Sequence, residues 1–141
     1  MAAYNKFNQF VQDLATKVHN LNSDTLKIAL TNTAPAATNA ILSDITEIGA
    51  GNGYTTGGLT ATFSSGAQTS GTYKLVLADV TFTASGGSFN TFRYAVLYNA
   101  TQTTPNKPLI CWFDYGAAVT LTSGNSFTVD LDQANGLFTL G

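Results

Sequence analysis

The sequence predicts a mainly β fold in one domain spanning residues 1–141: an antiparallel β-sandwich, jelly-roll-like, with one amphipathic α-helix at the N-terminal end. Three observations carry this expectation. Only one stretch, residues 5–21, repeats its apolar residues at helical spacing. Almost every later apolar segment, over residues 24–141, alternates with period two. Between those segments lie clusters of Gly, Ser, Asn and Thr that turn the chain. Hydrophobic residues make up 44% of the chain, with nine Phe and six Tyr, which is enough apolar surface for a packed core despite the Thr/Ser/Gly richness.

The helix over 5–21 rests on Phe7, Phe10, Val11, Leu14, Val18 and Leu21, with Asn20 and Asn22 as stop signals. Residues 24–31 form the first strand, with Leu26, Ile28 and Leu30 inward and Thr25, Lys27, Ala29 and Thr31 outward. Residues 32–58 keep no period and end in a glycine-rich run, so they read as a long functional loop. Within it Asp44 and Glu47 have capping-box spacing for a helical turn. Residues 59–64 are a strand, 64–71 a turn, and 72–84 a long strand that bends near Ala78 and Asp79. The central hairpin is 89–98 with 108–115, which holds the only Trp and the only Cys and places Trp112, like Phe10, in the core. Its first strand sets Phe92, Tyr94, Val96 and Tyr98 against Arg93, Ala95, Leu97 and Asn99. Its second sets Ile110 and Trp112 against Leu109, Cys111, Phe113 and Tyr115. Two short strands, 126–131 and 136–140, finish the sandwich.

Composition narrows the function. Charged residues are 10% of the chain, against roughly 25% in ordinary domains, so its surface is neutral and hydroxyl-rich. A net charge of -2 with six scattered basic residues gives no footprint for nucleic acid. No apolar run approaches the ~20 residues of a membrane span, and the N-terminus lacks the pattern of a secretory signal, so a soluble, cytoplasmically made chain is expected. One Cys excludes an internal disulfide, and Cys111 reads as a small buried hydrophobe.

Catalytic chemistry finds no constellation. His19 is the only histidine and has no orienting partner in the local sequence. Asp130 and Asp132 share one strand face and read as a solvated acidic edge rather than as a Ca²⁺ site or a hydrolytic pair. The glycine run fails the dinucleotide fingerprint, with Tyr54 or Thr56 where the third glycine belongs, and it has no Lys for a phosphate loop. The expectation is therefore a non-enzymatic protein with no catalytic residue, no cofactor and no metal. Exposed rings among Tyr54, Tyr73 and Trp112 offer a glycan-stacking alternative.

Four motifs, SDTLKIALTNTAP (23–35), DITEIGAGNGYTTGG (44–58), YKLVLADVTFTASGG (73–87) and FRYAVLYN (92–99) continued by PLICWFDYG (108–116), run through nearly the whole chain. In their order and wording they resemble a family of small virion structural proteins of tailed bacteriophages. The resemblance implies a capsid decoration or cement protein on the virion surface, synthesised in the host cytoplasm. Its implied partners are the major capsid protein and copies of itself in a homotrimer or other symmetric homo-oligomer, with no nucleic acid or membrane partner. A tail or head-fibre component, or a glycan- or receptor-binding module, is the alternative. A loop so short of charge needs a cover, so the apolar loop residues Ile41, Leu42, Ile45, Ile48 and Tyr54 either fold back as a flap over their own sandwich or pack against a neighbouring subunit or the capsid shell, and the intermolecular contact is the expectation.

Overall fold

The computed structural model of the chain describes residues 2–141. In chain order it comprises β1 (Tyr4–Lys6), α1 (Asn8–Ala15), β2 (Leu26–Thr31), β3 (Leu59–Ala61), β4 (Phe63–Thr69), β5 (Thr72–Leu77), β6 (Val80–Thr83), β7 (Phe92–Asn99), β8 (Leu109–Val119), β9 (Ser126–Val129) and β10 (Phe138–Leu140). The strands form a five-stranded sheet of order β1-β8-β7-β2-β3, a three-stranded sheet β10-β5-β4 and a pair β6-β9. All pairings are antiparallel. The mainly β, antiparallel fold with one helix near the N-terminus is thus the one the periodicity predicts, and the β7–β8 hairpin lies in the middle of the large sheet.

Apolar residues alternating along these strands build the main core. Leu26, Ile28 and Leu97 of the large sheet meet Leu75 of β5, Phe82 of β6 and Val129 of β9, in a sandwich-like arrangement. The opposite face of the large sheet is apolar too. Phe7, Ala29, Val96, Tyr98 and Leu109 form a second buried cluster there, with Leu42, Ile45 and Trp112 packed against it. Strand β2 is consequently buried on both faces, including Ala29 and Thr31, which period-two alternation alone places outward. Trp112, expected in the core, is half-buried and leans on Phe7 with ring centroids 4.6 Å apart.

Four expectations need correction. The helix runs over Asn8–Ala15 rather than 5–21. Tyr4 to Lys6 pair instead with β8, opposite Phe113, Trp112 and Cys111, because the ladder satisfies backbone groups that a helix would otherwise hold. The helix stops at Lys17, which takes φ 69° while Val18 N–H donates to the Asp13 carbonyl at 2.9 Å, the six-to-one bond of a Schellman end. Phe7 and Phe10 therefore serve different clusters, and Val11 is left 52% exposed.

The segment 64–71, read as a turn, is mostly strand β4, and only Ser70 and Gly71 turn, both with positive φ. The face assignments of the hairpin also change. Leu97 pairs with Cys111 but Tyr98 with Leu109, so Ile110 is an extra residue that enters the main core while Leu109 joins the outer cluster with Trp112. A second shift, between Phe92 and Tyr94, moves Phe92 onto the core face beside Leu97. Finally, Asp44 caps no following helix. It ends a 3-10 turn, Leu42–Asp44, and its Oδ2 accepts from Ala40 N–H at 2.9 Å and Ile41 N–H at 3.1 Å.

Candidate functional site

Residues 32–58 lie on the molecule as a stitched flap. Ile48 N–H donates to the Leu30 carbonyl, Leu42 N–H to that of Lys107, and Leu109 N–H to that of Ala40, each within 3.0 Å. Asn8 N–H at the start of α1 reaches the Ala37 carbonyl at 2.9 Å. Of the predicted contact residues, Ile48 and Tyr54 are buried within the main core, so they present no surface to a neighbour. Leu42 and Ile45 cover the outer cluster, while Ile41 bridges to Pro108, and all three stay half-exposed. Three of the five thus retain an outward face.

A polar lock holds the far half of the flap. Tyr54 Oη donates to Glu47 Oε1 and accepts from Leu30 N–H at 3.1 Å, while Glu47 Oε1 also takes the Gly57 N–H. Tyr98 Oη, from the central strand, donates to the Gly57 carbonyl at 2.7 Å. Burial, with Glu47 nearby, pushes the Tyr98 hydroxyl up to about 12 and that of Tyr54 higher still. The glycine run is explained here without a nucleotide. Gly58 sits at φ 71° with its Cα against β2, where an added Cβ would overlap the Ile28 carbonyl.

A second polar cluster joins residues far apart in sequence. Asn99, fully buried at the end of β7, donates from Nδ2 to His19 Nδ1 at 3.1 Å and to Asp24 Oδ2 at 2.6 Å, and its Oδ1 accepts Thr101 N–H at 3.0 Å. Asp24 Oδ2 also accepts from Gln102 Nε2 at 3.0 Å and Asn20 N–H at 2.9 Å. These bonds outweigh burial and hold the Asp24 carboxyl below its ordinary range. Because Asn99 is the donor, His19 carries its proton on Nε2, an assignment made from this network. That atom and Asp13 Oδ2 are both buried with no hydrogen-bond partner among the described residues. Burial pulls the His19 pKa down, against the opposing pull of Asp13 and Asp24, so its imidazole is neutral at pH 7.

His19 therefore does have an orienting partner, contrary to expectation, yet the groove beside it is lined by Lys17, Asn20, Asn22, Tyr73 and Gln102 with apolar neighbours and contains no Ser, Thr or Cys. Cys111 is fully buried, and burial raises its thiol well above the usual range. Asp130 and Asp132 do not share a strand face, because β9 ends at Val129: Asp130 is exposed and its Oδ1 accepts Asp132 N–H at 2.8 Å, while Asp132, at φ 51°, holds a turn by accepting from Asn135 N–H at 3.0 Å. Asp114 makes a two-pronged ion pair with Arg93, at 2.7 and 3.0 Å, which depresses its pKa. Among the described residues no three His, Cys, Asp or Glu side chains come together as a metal site, and no helix is long and apolar enough to cross a membrane.

A groove of about 590 Å³ runs between α1, β1 and β10. Val11 and Leu140, which are 52% and 54% exposed, stand on its rim above Phe10 and Phe138. Comparison with family models, with curated proteins and with known structures finds no match for the chain.

Proposed function

We propose that the chain is a non-enzymatic structural protein of a tailed-bacteriophage virion, a capsid decoration protein that binds the major capsid protein as a symmetric homo-oligomer. The observation that supports it most is how the residues of the phage-like motifs are used. Asp24 of the first motif and Asn99 of the hairpin bond each other, and Glu47, Tyr54 and Gly57 of the loop motif bond one another and Tyr98. The motifs maintain a rigid scaffold, and their functional groups are occupied in doing so. What remains outside is neutral and hydroxyl-bearing, with the half-exposed Ile41, Leu42 and Ile45 on the flap. A protein held by many weak, repeated contacts on a lattice requires rigidity and a neutral outer face more than it requires an active site.

The test is binding of the purified protein to empty capsids of its phage. Saturation at a copy number that matches the capsid lattice is the expected result. Recovery of the protein from purified tails, without capsid binding, would move the proposal to the tail. Binding on a glycan array that is lost when Trp112 is changed to Ala would favour a receptor-binding module.

A further inference from the structure

We propose that the outer edge of β4 is a self-association surface, on which a second copy of this chain adds its own β4 antiparallel to the first and joins two three-stranded sheets into one. The proposal goes beyond the virion reading and does not depend on it. Strand β4 is the terminal strand of its sheet and, at seven residues, the longest strand with an open edge among the described residues; the edge strands β1, β3 and β10 have three residues each, and β6 and β9 have four. Among the described residues, no backbone hydrogen bond from residues 63–69 reaches anything except β5. The strand is also free sterically, since all its residues except Gly66 are exposed.

The register identifies the occupant. The hairpin turn is Ser70-Gly71, with φ 51° and 84°, the pair of positive angles that marks a type I′ turn. Its closing pair, Thr69 with Thr72, is hydrogen-bonded, and the alternation of an antiparallel ladder then points the backbone groups of Ala67, opposite Lys74, toward β5 as well. Gly66 and Gln68 consequently present their N–H and C=O groups to the open edge. Ser64 lies in the irregularity between Phe63 and Ser65, which limits the regular edge to the Gly66–Gln68 side. A two-fold axis through Ala67 places Gly66 opposite Gln68 of the second copy and Gln68 opposite its Gly66, joining all these groups in about four backbone hydrogen bonds.

Side chains agree with this register. Ala67 meets Ala67, and Ser65 meets Thr69 of the second copy. Residues 63–69 contain no charge and no Pro, so self-pairing sets no like charges face to face, and beyond the irregularity at Ser64 neither charge nor Pro protects the edge. A strand from an unrelated protein has no such reason to fit a two-fold register.

The test uses the full chain and three variants. Ala67→Cys puts two thiols at a non-hydrogen-bonded pair, where Cα atoms stand about 4.5 Å apart, inside the disulfide range. The native Cys111 is fully buried and does not compete. Mild oxidation is expected to give a covalent dimer of A67C at least tenfold faster than of the control Thr139→Cys, which is exposed on β10. Gln68→Pro removes one outward N–H, and Ala67→Glu places two carboxylates together in the dimer while facing Lys74 within its own chain. Sedimentation velocity should show concentration-dependent dimers of the native chain that both variants abolish, with unchanged circular dichroism and melting. Equal cross-linking of A67C and T139C overturns the proposal. So does a native chain that stays monomeric at its highest soluble concentration while A67C fails to cross-link, or a dimer that survives both Q68P and A67E.

Discussion

The flap over residues 32–58 and the β4–β5 hairpin reverse the usual association of regular structure with depth. The flap contains only a three-residue 3-10 turn and isolated bridges, yet it buries Ile48 and Tyr54 and is tied to β2, α1 and the β7–β8 connection. The hairpin has an unbroken ladder from Ser65–Val76 to Thr69–Thr72, yet β4 is exposed on both faces except at Gly66. Ladder bonds replace bonds to water and contribute little net free energy, whereas buried rings and satisfied buried polar groups contribute more. The irregular segment should therefore be the energetically embedded one, and the regular segment the dispensable one.

The largest test of that difference is Tyr54→Ala. It deletes a ring that packs on Phe82 and Phe89 and leaves Glu47 and Leu30 N–H without their partner. Loss of ~3–5 kcal/mol is expected from the cavity alone, enough to lower the melting temperature by ten degrees or more. A denaturant series with an unchanged midpoint would mean that the flap is not part of the cooperative unit.

A finer division comes from Tyr54→Phe, which keeps the ring and removes only the hydroxyl. About 1–3 kcal/mol should be lost, the cost of stranding buried polar groups. Combining it with Glu47→Gln should cost less than the sum of the two single changes, because both break the same bond. Strict additivity by urea denaturation would show that the lock is not a coupled unit.

These embedded parts differ in how far the sequence reveals them. The β7–β8 hairpin was legible because rings and β-branched residues alternate along it, but one extra residue at Ile110 inverted the faces beyond it, and nothing local marks such a bulge. Strand β4 is not legible in the sequence, because Ser, Gly, Gln and Thr give no alternation to a strand that faces no core. Helical spacing overstates the length of α1, since Phe7, Val18 and Leu21 fall on it by coincidence. The strand pairing of Tyr4–Lys6 and the turn at Lys17 were decided by tertiary contacts and by backbone geometry respectively. Asn99 and His19 are separated by 80 positions, so only the fold could show that the histidine is oriented.

That histidine gives the next effect in size. Its folded pKa lies below the ordinary 6.5, mainly because burial penalises the charged ring. The unfolded chain thus takes up a proton as pH falls through 6.5 while the folded chain does not. Stability is complete above that pH and declines as pH drops toward the folded pKa, by at most ~1.4 kcal/mol per pH unit for one proton. His19→Gln should remove this decline and leave the loss below the ordinary 3.8 of the carboxyls whose folded values are depressed, Asp24, Asp44, Asp114 and Asp132. Urea midpoints of the two proteins at pH 7.5 and pH 5 make the measurement. Equal slopes with pH would show that His19 is free to charge in place.

The smallest effects belong to the hairpin, and they resolve its geometry residue by residue. Exchanging Ser65 or Gln68 for Ala should change stability by no more than ~0.5 kcal/mol, since neither side chain is buried. Amide hydrogen exchange on a dilute sample should then alternate along β4. The N–H groups of Ala67 and Thr69 point to β5 and should be protected, while those of Gly66 and Gln68 point to the open edge and should exchange freely. By contrast, Ile48 N–H, in the irregular flap, is bonded to the Leu30 carbonyl at 3.0 Å beneath a buried side chain and should exchange more slowly than any amide of β4. If Ala67 exchanged more slowly than Ile48, the ladder rather than the burial would be setting local stability, and the contrast between the two segments would fail. If Gly66 and Gln68 were protected in proportion to concentration, the free edge would be the one that a second copy closes.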